Sequence, residues 1–143
     1  MIYLSQRDPR WGGKTIGKST SLIKDFGCTI TCLSMLSDYF GGYKDPAWMA
    51  KNLEFLGDKV LWPSIGKVLN FDFVWRFYTY QETRINDALK DPKKACLLNV
   101  FNKHWVVGVR KVPFGYWTID PWTGTGKFYA TSSISGGAIL TSK

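Results

Sequence analysis

Cys28, His104 and Asp120 carry side chains that can act together in covalent chemistry. A thiolate is a strong nucleophile, an imidazole exchanges a proton near neutral pH, and a carboxylate can hold the imidazole's second nitrogen. His104 is the only histidine of the 143 residues, so any imidazole-based proton transfer must pass through it. Cys28 follows Gly27 at the start of an apolar helical pattern, in the stretch DFGCTITCLSML. A thiol there faces the unpaired N–H groups and the positive dipole end of the helix. That environment favours the thiolate and lowers the pKa from the free value of about 8.5. Cys32, one turn deeper, lacks this field and is expected to pack. Cys96 sits in the apolar run ACLLNVF and is expected in the core. The alternative for Cys28 is a plain structural thiol.

These residues need elements to position them. Ile30, Leu33, Leu36 and Phe40 recur at steps of three and four residues, which predicts a helix from about Cys28 to Phe40, stopped by Gly41-Gly42. Asp45-Pro46 reads as an N-cap with proline at the first helical position, opening a helix to about Phe55 with Gly57 beyond it. A short third helix follows Pro63, with Ile65, Val68 and Leu69 inward, and a fourth spans 83–91 with Thr83 as its cap. FDFVWRFYTY (71–80) reads as a strand, as do 95–101, HWVVGVRKV (104–112) and YWTID (116–120), with KFYA (127–130) and GAILTS (137–142) as further strands. Residues 6–27 read as an extended loop with turns at Gly12-Gly13 and Gly17. Helices followed by hairpin-connected strands predict an α+β class, N-terminal helices packed on a C-terminal antiparallel sheet, in a single domain over 1–143. If 104–112 and 116–120 form a hairpin, the start of the first strand lies beside the end of the second. His104 and Asp120 then meet at one end of the sheet. Asp120 is also suited to forming the turn before Pro121.

Composition narrows the functional classes. Lys plus Arg number 19 against 11 Asp plus Glu, a net charge of +8, without a run of like charge. A scattered basic surface argues against a disordered nucleic-acid tail and makes nucleic acid a weak reading; it is either an ordinary solvated surface or one suited to anionic polymers or membrane surfaces. Three cysteines cannot all pair, and their spacing matches neither a disulfide framework nor a zinc site, so free thiols are expected and no metal or cofactor is implied. No apolar stretch is long enough to cross a membrane, and MIYLSQRDPR lacks a signal-peptide core, so export by other means is expected for any action outside the cytoplasm. Aromatics make up 16% of the chain, enough that some are expected to line a groove. Trp11, Trp105 and Trp122 stand next to the chemical residues, where each either walls a cleft or packs in the core.

Four pieces in order, SQRDPRWGG, GCTITCLSML, HWVVGV and IDPWTG, resemble the papain-like cysteine peptidases of the bacteriocin-processing type. The likeness spans nearly the whole chain. It implies a papain-like fold with Cys28 as nucleophile, His104 as base, Asp120 as the residue orienting the imidazole, and Gln6 as a side-chain donor to the oxyanion. Asn99 or Asn102 is an alternative orienting group, since asparagine serves that role in other papain-like enzymes. The Gly-Pro that follows the family's cysteine is Thr29-Ile30 here, while Thr31 matches. The resemblance implies amide hydrolysis, with peptidoglycan peptide stems or cross-bridges as the expected substrate of a phage lysin or virion-associated wall hydrolase. Phage tail components and anionic wall polymers are the expected partners, and holin release or the particle itself is the expected route to the wall. The alternatives are a cytoplasmic peptidase or amidase acting on a protein, and a papain-like scaffold retained as a virion structural or binding module.

Overall fold

In the computed structural model, which describes residues 1–143, a short helix α1 (Ile23–Phe26) runs directly into α2 (Cys28–Tyr39) across Gly27. The two helices abut so closely that a Cβ on Gly27 would lie 2.5 Å from the Ile23 carbonyl oxygen, so only glycine fits. The helix α1 falls inside the stretch expected to be a loop. Its four residues are too few for an apolar period to be read. The expected apolar stripe on α2 is wider than a stripe. Every residue from Ile30 to Ser37 is buried, and the hydroxyls of Ser34 and Ser37 are satisfied by backbone carbonyls, both reaching Lys44 O. A helix apolar on nearly all sides is one buried on nearly all sides.

α3 (Pro46–Asn52) begins as expected, with the Asp45 carboxylate accepting the Trp48 N–H at 2.8 Å. It ends three residues earlier than the predicted Phe55. The chain turns extended at Leu53 and forms a two-stranded hairpin, β1 (Phe55–Leu56) and β2 (Lys59–Val60). Gly57, read as a helix stop, is instead the first residue of the hairpin's two-residue turn, at φ +63°. The third helix is a 3₁₀ segment, Trp62–Lys67, with Ile65 and Leu69 buried but Val68 exposed. Val68 stands one residue past the segment, at its C-cap with φ −124°, where the chain has left the helical path.

The remaining strands are β3 (Phe71–Phe77), β4 (Lys94–Val100), β5 (His104–Val112), β6 (Gly115–Asp120), β7 (Thr125–Ala130) and β8 (Ile134–Ser142). They form one antiparallel sheet in the order β3-β8-β4-β5-β6-β7. The C-terminal strand thus inserts between β3 and β4. The two apolar clusters flank the sheet. The larger joins α2, α3 and the 3₁₀ segment to one face; the smaller gathers Ile85 and Ala88 of α4 (Glu82–Lys90) with Leu98, Val106 and Ile139 on the other. The architecture is α+β, but one helix crosses to the opposite face. α4 also starts one residue before the predicted cap: Gln81 stands at the N-cap position, without a side-chain bond.

Candidate functional site

Extending the β5–β6 register, in which Val107 pairs with Ile119, places Asp120 opposite Val106 and diagonal to His104. A diagonal pair is within reach of long side chains. The bond is made: His104 Nε2 lies 2.7 Å from Asp120 Oδ1. Asp120 is held from two further sides. The Trp122 N–H donates to Oδ1 at 2.9 Å, and the buried Tyr129 hydroxyl donates to Oδ2 at 2.5 Å. Burial raises the carboxyl's pKa, but the bonds from His104, Tyr129 and Trp122 outweigh it and bring it down to about 2.

Cys28 is the first residue of α2, half-buried, and its thiol faces the His104 ring. Burial pushes the thiol's pKa up. Hydrogen bonding and charge from His104, with contributions from the Trp105 N–H and the Thr29 hydroxyl, more than offset this and leave it below the usual thiol range. His104 responds in kind. Burial pulls the imidazole down, while Asp120 and Cys28 raise it to about 9. Nε2 is engaged by Asp120, so Nδ1 is the nitrogen left for the thiol.

The other two cysteines behave as expected. Cys32 is fully buried, donates to Trp105 O at 3.5 Å, and is raised well above the ordinary thiol value by burial and by the neighbouring Cys28 and Asp120 charges. Cys96 is raised by burial to about 12. Trp105 therefore serves both thiols of α2 with its backbone, N–H toward Cys28 and C=O toward Cys32.

The asparagine alternatives do not reach the ring. Asn99 donates to the His104 carbonyl and accepts from Ser135, and Asn102 is an exposed loop residue at φ +57°. Gln6 is 1% exposed and lines the same cleft as Cys28 and His104. The N-terminal segment is tied across the end of β6 by Gln6 N–H to Pro121 O (2.7 Å) and by Ser5 Oγ to Trp122 O (3.1 Å). Gly124, at φ +73°, lets this segment pass, since a Cβ there would meet the Leu4 and Ser5 backbone at 3.0 Å. The Gln6 amide donates to Lys24 O at 3.1 Å and, at 3.5 Å, to Ile23 O. Its Oε1 is buried without a partner. An orphaned acceptor in a cleft wall is a group that a bound ligand's N–H would satisfy. The N–H groups of Cys28, Thr29 and Ile30 make no intramolecular bond, because α2 has no side-chain cap.

The cleft holds about 180 Å³. Trp62, Trp105 and Trp122 wall it, with the Trp62 and Trp105 rings packed at 5.1 Å between centres and tilted by 53°. Trp11 is core instead, 2% exposed with its indole N–H on Ser5 O. No protein-family model matches this chain, and no curated protein matches it significantly.

Tyr129 is a member of this cluster that the sequence did not reveal. In the β6–β7 register it pairs with Tyr116, four positions from Asp120, and only its length carries the hydroxyl back to the carboxylate. Replacing Tyr129 with phenylalanine removes one donor from an ionised acceptor. The Asp120 pKa is then expected to rise from about 2 toward the ordinary 3.8, read by carboxyl-carbon NMR titration. The lost bond is expected to cost roughly 1.5–3 kcal/mol at neutral pH. An unchanged Asp120 titration would mean that the hydroxyl does not hold the carboxylate.

Proposed function

We propose that this protein is a cysteine peptidase with a papain-like fold, and that it hydrolyses amide bonds in the peptide stems or cross-bridges of peptidoglycan. The observation that carries the amide chemistry is the linked set Asp120–His104–Cys28 opening on one cleft at a helix N-terminus. The lowered thiol and raised imidazole favour a thiolate–imidazolium pair at neutral pH, the form in which a cysteine attacks without prior proton removal. The substrate class and a site of action at the wall, for a phage lysin or virion-borne enzyme, rest on the ordered sequence likeness and on the basic surface.

The steps follow from the groups present. The Cys28 thiolate adds to the substrate carbonyl carbon, forming a C–S bond and a tetrahedral oxyanion. The unpaired Cys28 N–H and the Gln6 amide, after exchanging one backbone carbonyl for substrate, donate to that oxyanion. A preorganised donor such as the free Cys28 N–H is worth about 3–4 kcal/mol, and the Gln6 amide less by what its exchange costs. His104 Nδ1 gives its proton to the amine as the C–N bond breaks, leaving a thioester. Water then attacks the thioester, His104 takes the water's proton, and the acid product leaves as the thiolate returns. Asp120 keeps the ring oriented and its charge balanced throughout.

Zymography on purified cell walls with wild type and Cys28→Ala is the test. A cleared band lost in the variant supports the proposal. Thiol-dependent cleavage of free peptides with no wall band assigns the same chemistry to another substrate, and absence of any thiol-dependent turnover rejects an enzymatic role.

A further inference from the structure

On the other side of the β1–β2 hairpin from the cysteine cleft lies a second, larger groove of about 1140 Å³. Phe55 and Gly57 of the hairpin face this groove, while Asp58, Lys59 and Val60 face the cleft. We propose that the groove binds a polyol-phosphate polymer, an extended polyanion without bases. Lys14, Lys18 and Lys51 line it, none of the three is ion-paired, and no carboxylate is in the lining. The acids adjoining the lining residues in sequence have partners of their own: Asp45 caps α3, Glu54 faces Lys67, and Asp58 pairs with Lys59 at 3.9 Å and accepts the Ser21 hydroxyl at 2.7 Å.

Size and charge type decide the ligand. The volume exceeds the roughly 300–1,000 Å³ of ordinary small-molecule pockets, which suits a length of chain rather than one anion. The cations are all lysines. An ammonium pairs with phosphate as a point charge and does not demand the planar two-point geometry that arginine offers carboxylates. Single-stranded nucleic acid needs exposed ring faces on which bases stack. The groove has two rings only, and each already has a neighbour on one side: the Lys44 ammonium lies 5.3 Å from the Trp48 ring centre, and a Cβ on Gly17 would lie 2.9 Å from the edge of Phe55, so no run of free ring faces is presented. A polymer carrying phosphates but no bases fits what remains.

The test is equilibrium binding of a fluorescein-labelled poly(glycerol phosphate) oligomer to the full chain, read by anisotropy. With three phosphate contacts, affinity is expected to fall roughly 10–20-fold between about 50 and about 200 mM salt. The variant K14Q/K18Q/K51Q is expected to bind at least about tenfold more weakly. The variant K90Q/K93Q/K94Q, which loses the same charge outside the groove, is expected to stay within about threefold of wild type. Equal losses in both variants would overturn the proposal, since net charge alone would then explain binding. Tighter binding of an oligothymidylate of equal charge would also overturn it, in favour of nucleic acid. Binding is measured without turnover, so its outcome is separate from that of the amide chemistry at Cys28.

Discussion

Replacing Cys28 with alanine is expected to lower amide hydrolysis by a factor of about 10⁴ or more, with little loss of fold. The sulfur is the only group at the site that can form the thioester, and no other thiol can substitute. Cys32 is fully buried behind Trp105, and Cys96 lies in β4 with its pKa raised to about 12. Residual catalysis from the oxyanion donors and substrate binding sets the floor, as in other covalent hydrolases. Cys28 is half-buried, so the substitution leaves only a small void, and the melting temperature is expected to change by no more than a few degrees. Steady-state kinetics on a stem peptide, beside a thermal melt, checks both halves. Retained activity in a folded variant would remove Cys28 from the mechanism.

The second large effect belongs to Asp120. Asparagine in its place is expected to reduce kcat by about 10²–10⁴, because the ring loses the acceptor that fixes its orientation and favours its charged form. His104 is the only histidine, so its single imidazole signal reports this directly by NMR. Wild type is expected to titrate at about 9. Without the carboxylate, only Cys28 is left to oppose burial, and the pKa is expected to drop from about 9 toward the ordinary 6.5. Stability follows the same linkage. A folded value of about 9 for His104 contributes stability that is complete below pH 6.5 and is lost as pH rises through about 9. A folded value of about 2 for Asp120 contributes stability that is present above pH 3.8 and is lost as pH falls through about 2. Wild type therefore gains most from this pair between roughly pH 4 and 6.5, and the Asp120→Asn variant should lose that gain. An unmoved His104 titration would mean that the 2.7 Å contact has no electrostatic consequence.

Sequence made some of this arrangement legible because the forces involved are local. Gly27 before an apolar period places Cys28 at the first residue of α2, and a β5–β6 hairpin brings His104 to Asp120 without long-range information. The Asp45 cap is equally local. What could not be read depends on contacts between distant segments. The insertion of β8 between β3 and β4 and the passage of α4 to the far face are decided by which apolar surfaces remain uncovered, and periodicity does not encode that choice. Gly57 shows the limit of a local rule, since a glycine after a helical pattern serves as well for a hairpin turn as for a helix stop. Tyr129 was hidden because its backbone register sets it far from Asp120 and only the side chain closes the gap. Gln6 reaches the cleft through the N-terminal segment's bonds to Pro121 and Trp122, which no spacing in the chain announces.

The proposed chemistry requires His104 to hold Cys28 as a thiolate at the start of α2, in line with the lowered thiol pKa there. The rate of iodoacetamide alkylation at each cysteine, followed across pH and mapped by mass spectrometry, tests it most directly. Selective modification of Cys28 that persists into mildly acidic solution, with Cys32 and Cys96 unreacted, is the predicted result. Slow modification of all three thiols at similar rates, rising only at alkaline pH, would contradict it.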